Sequence, residues 1–216
     1  SPLFFKLNNM NNYYNINNIN NASMPTMRTF QVVTPASTYP VSLTEAKAHL
    51  KVDINTDDTL ITNLIIASTQ LSEEYTNRFF INTVINQTCT TFTDLKQLYK
   101  SKVVSVTHVK YYDSDNTLQT LAASNYVVNN QFEPAQINLV VDGSFPDIAD
   151  RIDAVECKYT VGYGAASDVP NAIKQAILLT IGNWYANRES VITGRTTTEM
   201  PMSAKWLLET YKVQVV

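Results

Sequence analysis

Two cysteines and two histidines are the first places to look for chemistry in this chain of 216 residues. Cys89 and Cys157 each lack a nearby Cys or His at the spacing that completes a tetrahedral metal site. Two thiols are also too few for a disulfide framework. Cys157 falls in an alternating segment on the apolar side, so it reads as an inert core thiol. His49 and His108 have no Cys, His or carboxylate at ligand spacing, and His49 reads as a partly exposed helix residue. The carboxylate pair Asp57-Asp58 sits where a helix begins, at the positive end of its dipole. The pair Glu73-Glu74 precedes Arg78 by one helical turn and reads as a solvated, charge-compensated face. Asp113-Ser114-Asp115-Asn116 has the oxygens of a calcium loop but no downstream Glu to complete it, so turn chemistry is the expectation. Gly162-Tyr163-Gly164 lacks the third glycine and the strand-to-helix context of a phosphate loop, and reads as a strand exit. No Walker motif, nucleophile elbow or zincin motif occurs. The expectation is a protein without catalytic, cofactor or metal residues, and not an enzyme.

Composition points the same way. Net charge is −3, apolar residues make up 44% and charged residues only 16%, against about a quarter in an average domain. No basic patch is visible, so tight phosphate binding is not indicated, and DNA that meets this protein is a passing cargo. The apolar run Leu3 to Leu7 is far too short for a signal h-region or a membrane span. With so few cysteines, this predicts a reduced, cytosolic history and no membrane.

The elements that would position any site follow from periodicity. Residues 1–27 form an Asn-rich extension that buries little by itself and is expected to lace onto a neighbouring chain. Residues 28–82 form an arm and helices. Phe30 to Thr34 reads as a short strand. Ser42-Leu43-Thr44-Glu45 is a capping box opening a helix to about Lys51. A second helix opens at Asn55-Thr56-Asp57-Asp58 and runs to about Phe80. Its apolar stripe is Leu60, Leu64, Ala67, Leu71, Tyr75 and Phe79, widened by Ile61 and Ile65.

Residues 83–164 change to a period of two. Strands are expected at Val84 to Phe92, Val103 to Tyr112, Thr117 to Leu121, Tyr126 to Val128, Ile137 to Val141 and Val155 to Val161. Residues 165–216 return to helices. Asp168 is placed to cap the first, with Pro170 in its first turn and Ile173, Ile177, Ile181 and Trp184 along one stripe. Gly182 inside that helix predicts close approach of another backbone. Residues 191–202 read as a loop, Ser203 to Tyr211 as a short helix, and Lys212 to Val216 as an apolar, strand-like tail. The fold class is therefore α+β: a helical bundle formed by the two flanks, with a small antiparallel sandwich or barrel inserted between them.

Several strings, in order, resemble the head–tail connector (adaptor) proteins of long-tailed phages and gene transfer agents. They are Val33-Thr34-Pro35, the run Pro40 to Asp53, Asp57-Asp58 with Leu60-Ile61, Tyr111-Tyr112-Asp113, Tyr159 to Gly164, Val169-Pro170, and Trp184 to Glu189. The resemblance covers roughly residues 32–190. It implies a virion neck protein, assembled in the host cytoplasm, that forms rings, usually of twelve copies, beneath the portal protein. Such a ring extends the channel for genomic double-stranded DNA, bound without sequence specificity, and docks a stopper or tail-completion protein. The candidate interface residues are Trp184, Tyr185, Arg188 and Glu189, since aromatic and Arg side chains are the usual interface anchors. Tyr211, Val213 and Val215 of the tail are candidates for docking on the portal by strand addition. The alternative is a non-catalytic ligand- or glycan-binding β-module with Tyr111, Tyr112 and Tyr126 as a stacking face.

Overall fold

A computed structural model describes residues 28–140, 143–187, 191–192, 195–196 and 200–213. The Asn-rich extension, Asp142, Arg188, Glu189, Gly194 and Val215 lie outside the described residues. In chain order the regular elements begin with β1 (Arg28–Thr34), α1 (Leu43–Leu50), α2 (Asp58–Thr76) and β2 (Thr83–Cys89). The middle of the chain adds β3 (Val103–Tyr112), β4 (Leu118–Leu121), β5 (Tyr126–Asn129), β6 (Gln136–Leu139) and β7 (Val155–Val161). Then come α3 (Asn171–Ala186), the two-residue strands β8 (Val191–Ile192) and β9 (Arg195–Thr196), and α4 (Met202–Glu209). The class is α+β, as expected.

The capping box forms as read: Glu45 N–H donates to Ser42 Oγ at 3.2 Å, and Ser42 N–H to Glu45 Oε2 at 2.8 Å. Lys47 then reaches Asp58 at 2.6 Å and Asn55 at 2.8 Å, fastening the corner between α1 and α2. Helix α2 stops at Thr76, short of Phe80, because Asn77 turns left-handed (φ 54°) and donates back to the last carbonyls. Such αL caps terminate helices and favour Asn or Gly.

The face of α2 is rotated from the expected stripe. Ala67 is exposed, and the buried line is Ile61, Ile65, Ser68, Thr69, Ser72 and Thr76. Ser72 and Thr76 return their hydroxyls to the carbonyls one turn back, at 2.7 and 2.8 Å. A hydroxyl satisfied in this way can be buried, and its small size admits a close neighbour. The second helical expectation to fail concerns Asp168. It does not cap α3; its carboxylate accepts Ala165 N–H at 2.9 Å and closes a 3₁₀ turn over Ala166–Asp168, leaving Pro170 at the N-cap. Gly182 does lie in a tight place, but its neighbour is a side chain rather than a backbone, since an added Cβ would stand 3.3 Å from His49 Nε2.

The β-module is a five-stranded antiparallel sheet in the order β1-β2-β7-β3-β4, with β5 and β6 as a separate two-stranded ribbon. Strand β1 comes from the N-terminal arm yet pairs along β2 from Arg28↔Cys89 to Thr34↔Val84. The inserted module therefore recruits a strand from its flank. Strands β2 and β7 alternate strictly between buried and half-buried residues, which sets Ile85, Gln87 and Cys89 opposite Tyr159, Cys157 and Val155. Both cysteines are fully buried, and burial pushes the Cys157 thiol up, away from thiolate chemistry. Strand β2 ends at Cys89, and Phe92 opens a 3₁₀ turn instead of extending it. Within the expected loop 191–202, β8 and β9 pair as a minimal ladder.

One buried polar cluster anchors this sheet. Tyr159 hydroxyl donates to Gln87 Oε1 at 2.7 Å, Tyr99 N–H reaches the same oxygen at 2.9 Å, and Gln87 Nε2 donates to Gln97 O at 3.3 Å. Every polar group of the buried Gln87 side chain is engaged, as burial demands.

Two apolar cores result. One lies under the sheet around Ile85, Leu95, Leu98, Ile137 and Tyr159. The other joins α1–α4 around Ile61, Phe80, Ile173, Ile177 and Leu208.

Candidate assembly surface

The sequence-derived interface residues separate into distinct environments. Trp184 is half-buried at the C-terminal end of α3. Its indole N–H is buried and meets no acceptor among the described residues, a costly arrangement for an indole donor. Tyr185 is tied to its own chain, its hydroxyl donating to the Asp57 carboxylate and joining the end of α3 to the start of α2. Tyr211 packs partly on the helical core, and its carbonyl accepts from Arg78 Nε. Val213 is only 7% exposed, and its N–H donates to Thr76 O at 3.0 Å, satisfying a terminal carbonyl of α2. The start of the tail is thus folded back onto the chain.

Arg78 is central to that arrangement. It is 5% exposed and does not pair with Glu73 or Glu74 as the helical spacing suggests. Its guanidinium instead takes both oxygens of Glu133, with Nη1 at 2.8 Å. It therefore holds the end of α2, the segment before β6 and the chain after α4 in one place. The Arg78 guanidinium keeps the Glu133 carboxyl below the usual carboxylate range.

Glu73 is not on a solvated face. Its Oε1 accepts Phe80 N–H at 2.8 Å, and burial raises its carboxyl to about 7. Lys100 is pushed down by burial in the same region, over the rings of Phe30 and Phe79 at 5.9 and 5.4 Å. The sign of the resulting pH dependence follows from linkage. Between about 4.5 and about 7 the folded chain keeps the Glu73 proton and the unfolded chain releases it. This contribution is fully present below about 4.5 and is lost as pH rises through about 7, with a total on the order of 3 kcal/mol. Glu73→Gln is expected to flatten urea-unfolding stability across this window. An unchanged slope in the variant would refute the assignment.

Two surface features were not legible as functional in the sequence. Helix α4 buries Ala204 and Leu208 completely while leaving Trp206 74% and Met202 63% exposed. Elsewhere on the helical unit, the arm after β1, the start of α1, α2 and the 3₁₀ turn line an open apolar cleft of about 610 Å³. Thr38, Tyr39, Val41, Leu43, Ile65 and Ala166 line it.

The tyrosines of the alternative reading do not form an open stacking face. Arg151 covers the Tyr112 ring at 3.6 Å, held by Asp153 at 2.6 and 2.7 Å. Tyr111 lies against Phe92, and Tyr126 is partly buried on the sheet core. His108 lies 3.2 Å from Glu156 and 3.7 Å is the distance from Cys89 Sγ to Val155 O. No group of three or more metal-ligating side chains occurs among the described residues, and none of their helices is long and apolar enough to cross a membrane.

The sequence pattern of the phage gp6-like head-tail connector proteins matches residues 40–140. No protein of curated function matches the sequence. Solved chains of similar fold include three that are each 19% identical and each matched over 87% of this chain. One comes from the neck of an empty gene transfer agent particle computed with C6 symmetry, with a TM-score of 0.69 and 97% of that chain covered. The second, from the virion of a native gene transfer agent particle, gives 0.70 and 96%. The third, from the native neck computed with C12 symmetry, gives 0.68 and 97%.

Proposed function

We infer that this chain, which carries the head-tail connector sequence pattern over residues 40–140 and a fold similar to chains of gene transfer agent particles, acts as a structural subunit of the virion neck, without catalysis. Copies assemble as a ring beneath the portal protein, extend the DNA channel, and present a platform for the stopper or tail-completion protein. The observation that carries this reading is the coincidence of the two likenesses. The connector pattern over residues 40–140 falls inside a fold shared nearly end to end with chains of gene transfer agent necks.

Other features support it. A charge of −3 per subunit sums around a ring to a weakly repulsive lumen, through which DNA slides without sticking. Trp184, with its orphaned indole N–H, is a group that a neighbouring subunit can satisfy. Arg188 and Glu189 follow it in the chain and share that proposed contact. Tyr211 and Val213 fix the chain just after α4, and Val215, two residues further on, docks on the portal. The Asn-rich residues 1–27 lace onto the adjacent copy.

The test is co-purification with the portal protein of the same genome, followed by mass measurement and negative-stain imaging. A closed ring on the portal is expected, with a connector mass about twelve-fold above the 24.3 kDa monomer. A monomer that ignores the portal would sink the reading.

A further inference from the structure

A ring built by rotation needs two different surfaces on every subunit, one fitting the other on the next copy. From the structure we propose that the exposed α4 face of one copy, Met202 and Trp206, seats in the cleft at Tyr39, Val41 and Leu43 of the next. The inference rests on the neck-ring reading above.

Helix α4 is fixed in rotation by Ala204 and Leu208, both fully buried. Met202 and Trp206, one turn apart, are therefore held outward and cannot fold back into their own core. An isolated exposed apolar residue needs no explanation, but a Trp and a Met on one rigid face make an anchor of the kind found at the centre of interfaces. The cleft supplies the concave counterpart, and Tyr39 at its mouth is 42% exposed.

One chain cannot join its own two surfaces. Helix α4 is tied to the C-terminal end of α2, through Tyr75 and Glu209, whereas the cleft is lined by Ile65. Ten residues of helix separate Tyr75 from Ile65, about 15 Å at 1.5 Å per residue.

Charge selects a second copy as the occupant. Lys205 and Lys212 flank the α4 face, with Lys212 exposed over the Tyr75 ring, while the one carboxylate of α4, the exposed Glu209, is engaged by the Tyr75 hydroxyl. The cleft rim carries two carboxylates bonded to its own lining residues: Glu45 accepts from Ser42, and Asp168 from Ala165. Lys174 lies within Coulombic reach of Glu45 and softens this rim, while Asp168 remains at its other side. Basic convex face and acid-rimmed concave cleft on one chain are the two halves of a head-to-tail contact.

The test places one cysteine on each surface, giving up the Met202 side chain but leaving Trp206 and Tyr39 intact. Both native cysteines are fully buried and do not compete. Under mild oxidation, full-length Thr38→Cys/Met202→Cys is expected to give a ladder of covalent oligomers, with and without the portal protein. A mixture of the two single variants is expected to stop at dimers. Adding Trp206→Ala to the double variant should reduce cross-linking at least about thirty-fold, the size of a central aromatic hot spot, while its thermal melt shows that it still folds. Dimers formed as readily by Met202→Cys alone would indicate a symmetric contact and overturn the pairing. No ladder from a protein whose wild type assembles on the portal would overturn the pairing and leave the neck reading standing. A wild type that stays at monomer mass in both conditions would remove both.

Discussion

Gly162→Ala is expected to destabilise the protein by about 3 kcal/mol or more, lowering its melting temperature by roughly 6–12 °C for a domain of this size. Gly162 has φ +135°, a conformation that side chains rarely adopt. A Cβ there would stand 2.8 Å from Asn82 N and from the carbonyl carbon and oxygen of Ile81. Those atoms are backbone, and they are held in place. Asn82 N–H donates to Gly164 O at 3.1 Å, Tyr163 N–H to Phe80 O at 3.0 Å, and Gly162 N–H to Lys102 O at 2.9 Å. The exit of β7 thus passes directly against the link from α2 to β2, where the helical unit meets the sheet. Gly182→Ala is the control. Its nearest neighbour is the exposed imidazole of His49, which can move, and Ala gains about 1 kcal/mol of helix propensity. Thermal and urea unfolding of the two variants would decide the matter. A Gly162→Ala protein as stable as wild type would show that this crossing can yield.

Arg78→Ala is expected to cost about 3–5 kcal/mol, the usual consequence of removing one partner from a buried, hydrogen-bonded pair. The Glu133 side chain is 40% exposed, so water recovers part of the loss there, and the lower end of the range applies. The Tyr211 carbonyl loses its charged donor as well, so the chain after α4 should loosen first. Hydrogen exchange at Val213, whose amide is bound to Thr76 O, reports this locally, and urea midpoints report the total. Arg78→Lys is expected to recover only part, because an ammonium cannot replace the two-pronged contact with Glu133. The pair also acts at acid pH. Its carboxyl is depressed in the folded chain, so its contribution is present above the ordinary Glu range and is lost as pH falls below it. That window lies below the Glu73 window, and the two variants separate them. Wild-type stability in Arg78→Ala, within about 0.5 kcal/mol, would mean that the clamp is not a stabilising link.

These effects bear on the proposed neck assembly because a ring subunit must present fixed surfaces. The Arg78 clamp and the Gly162 crossing both lie between the sheet and the helices, and they set how α4 and the cleft are held relative to the β-module. Their loss should therefore impair ring formation in proportion to stability. Trp206→Ala should impair it with stability intact.

Much of this fold was legible because its signals are local. The capping box at Ser42 and Glu45 needs only three residues of spacing. The alternation from Val155 to Val161 defines its own strand and buries Cys157. The turn at Asp113 to Asn116 follows from short polar side chains that bond their own backbone: Asp113 Oδ1 accepts Thr117 N–H at 2.9 Å. The order of short strings through the chain pointed to the connector family. What the tertiary structure decided is what depends on partners far away in sequence. Hydropathy placed Ala67 on the inward stripe of α2 and did not include Ser68, Ser72 and Thr76 in it, because it could not register that their hydroxyls would be satisfied by their own helix. Arg78 had carboxylates nearby in sequence but found Glu133, beyond the intervening strands. The tail looked like a free strand until Val213 met the open end of α2. Trp184 and Trp206 both lie on amphipathic helices. Which of them is half enclosed and which is held out toward solvent depends on where Ala204 and Leu208 find their core, and no local period contains that information.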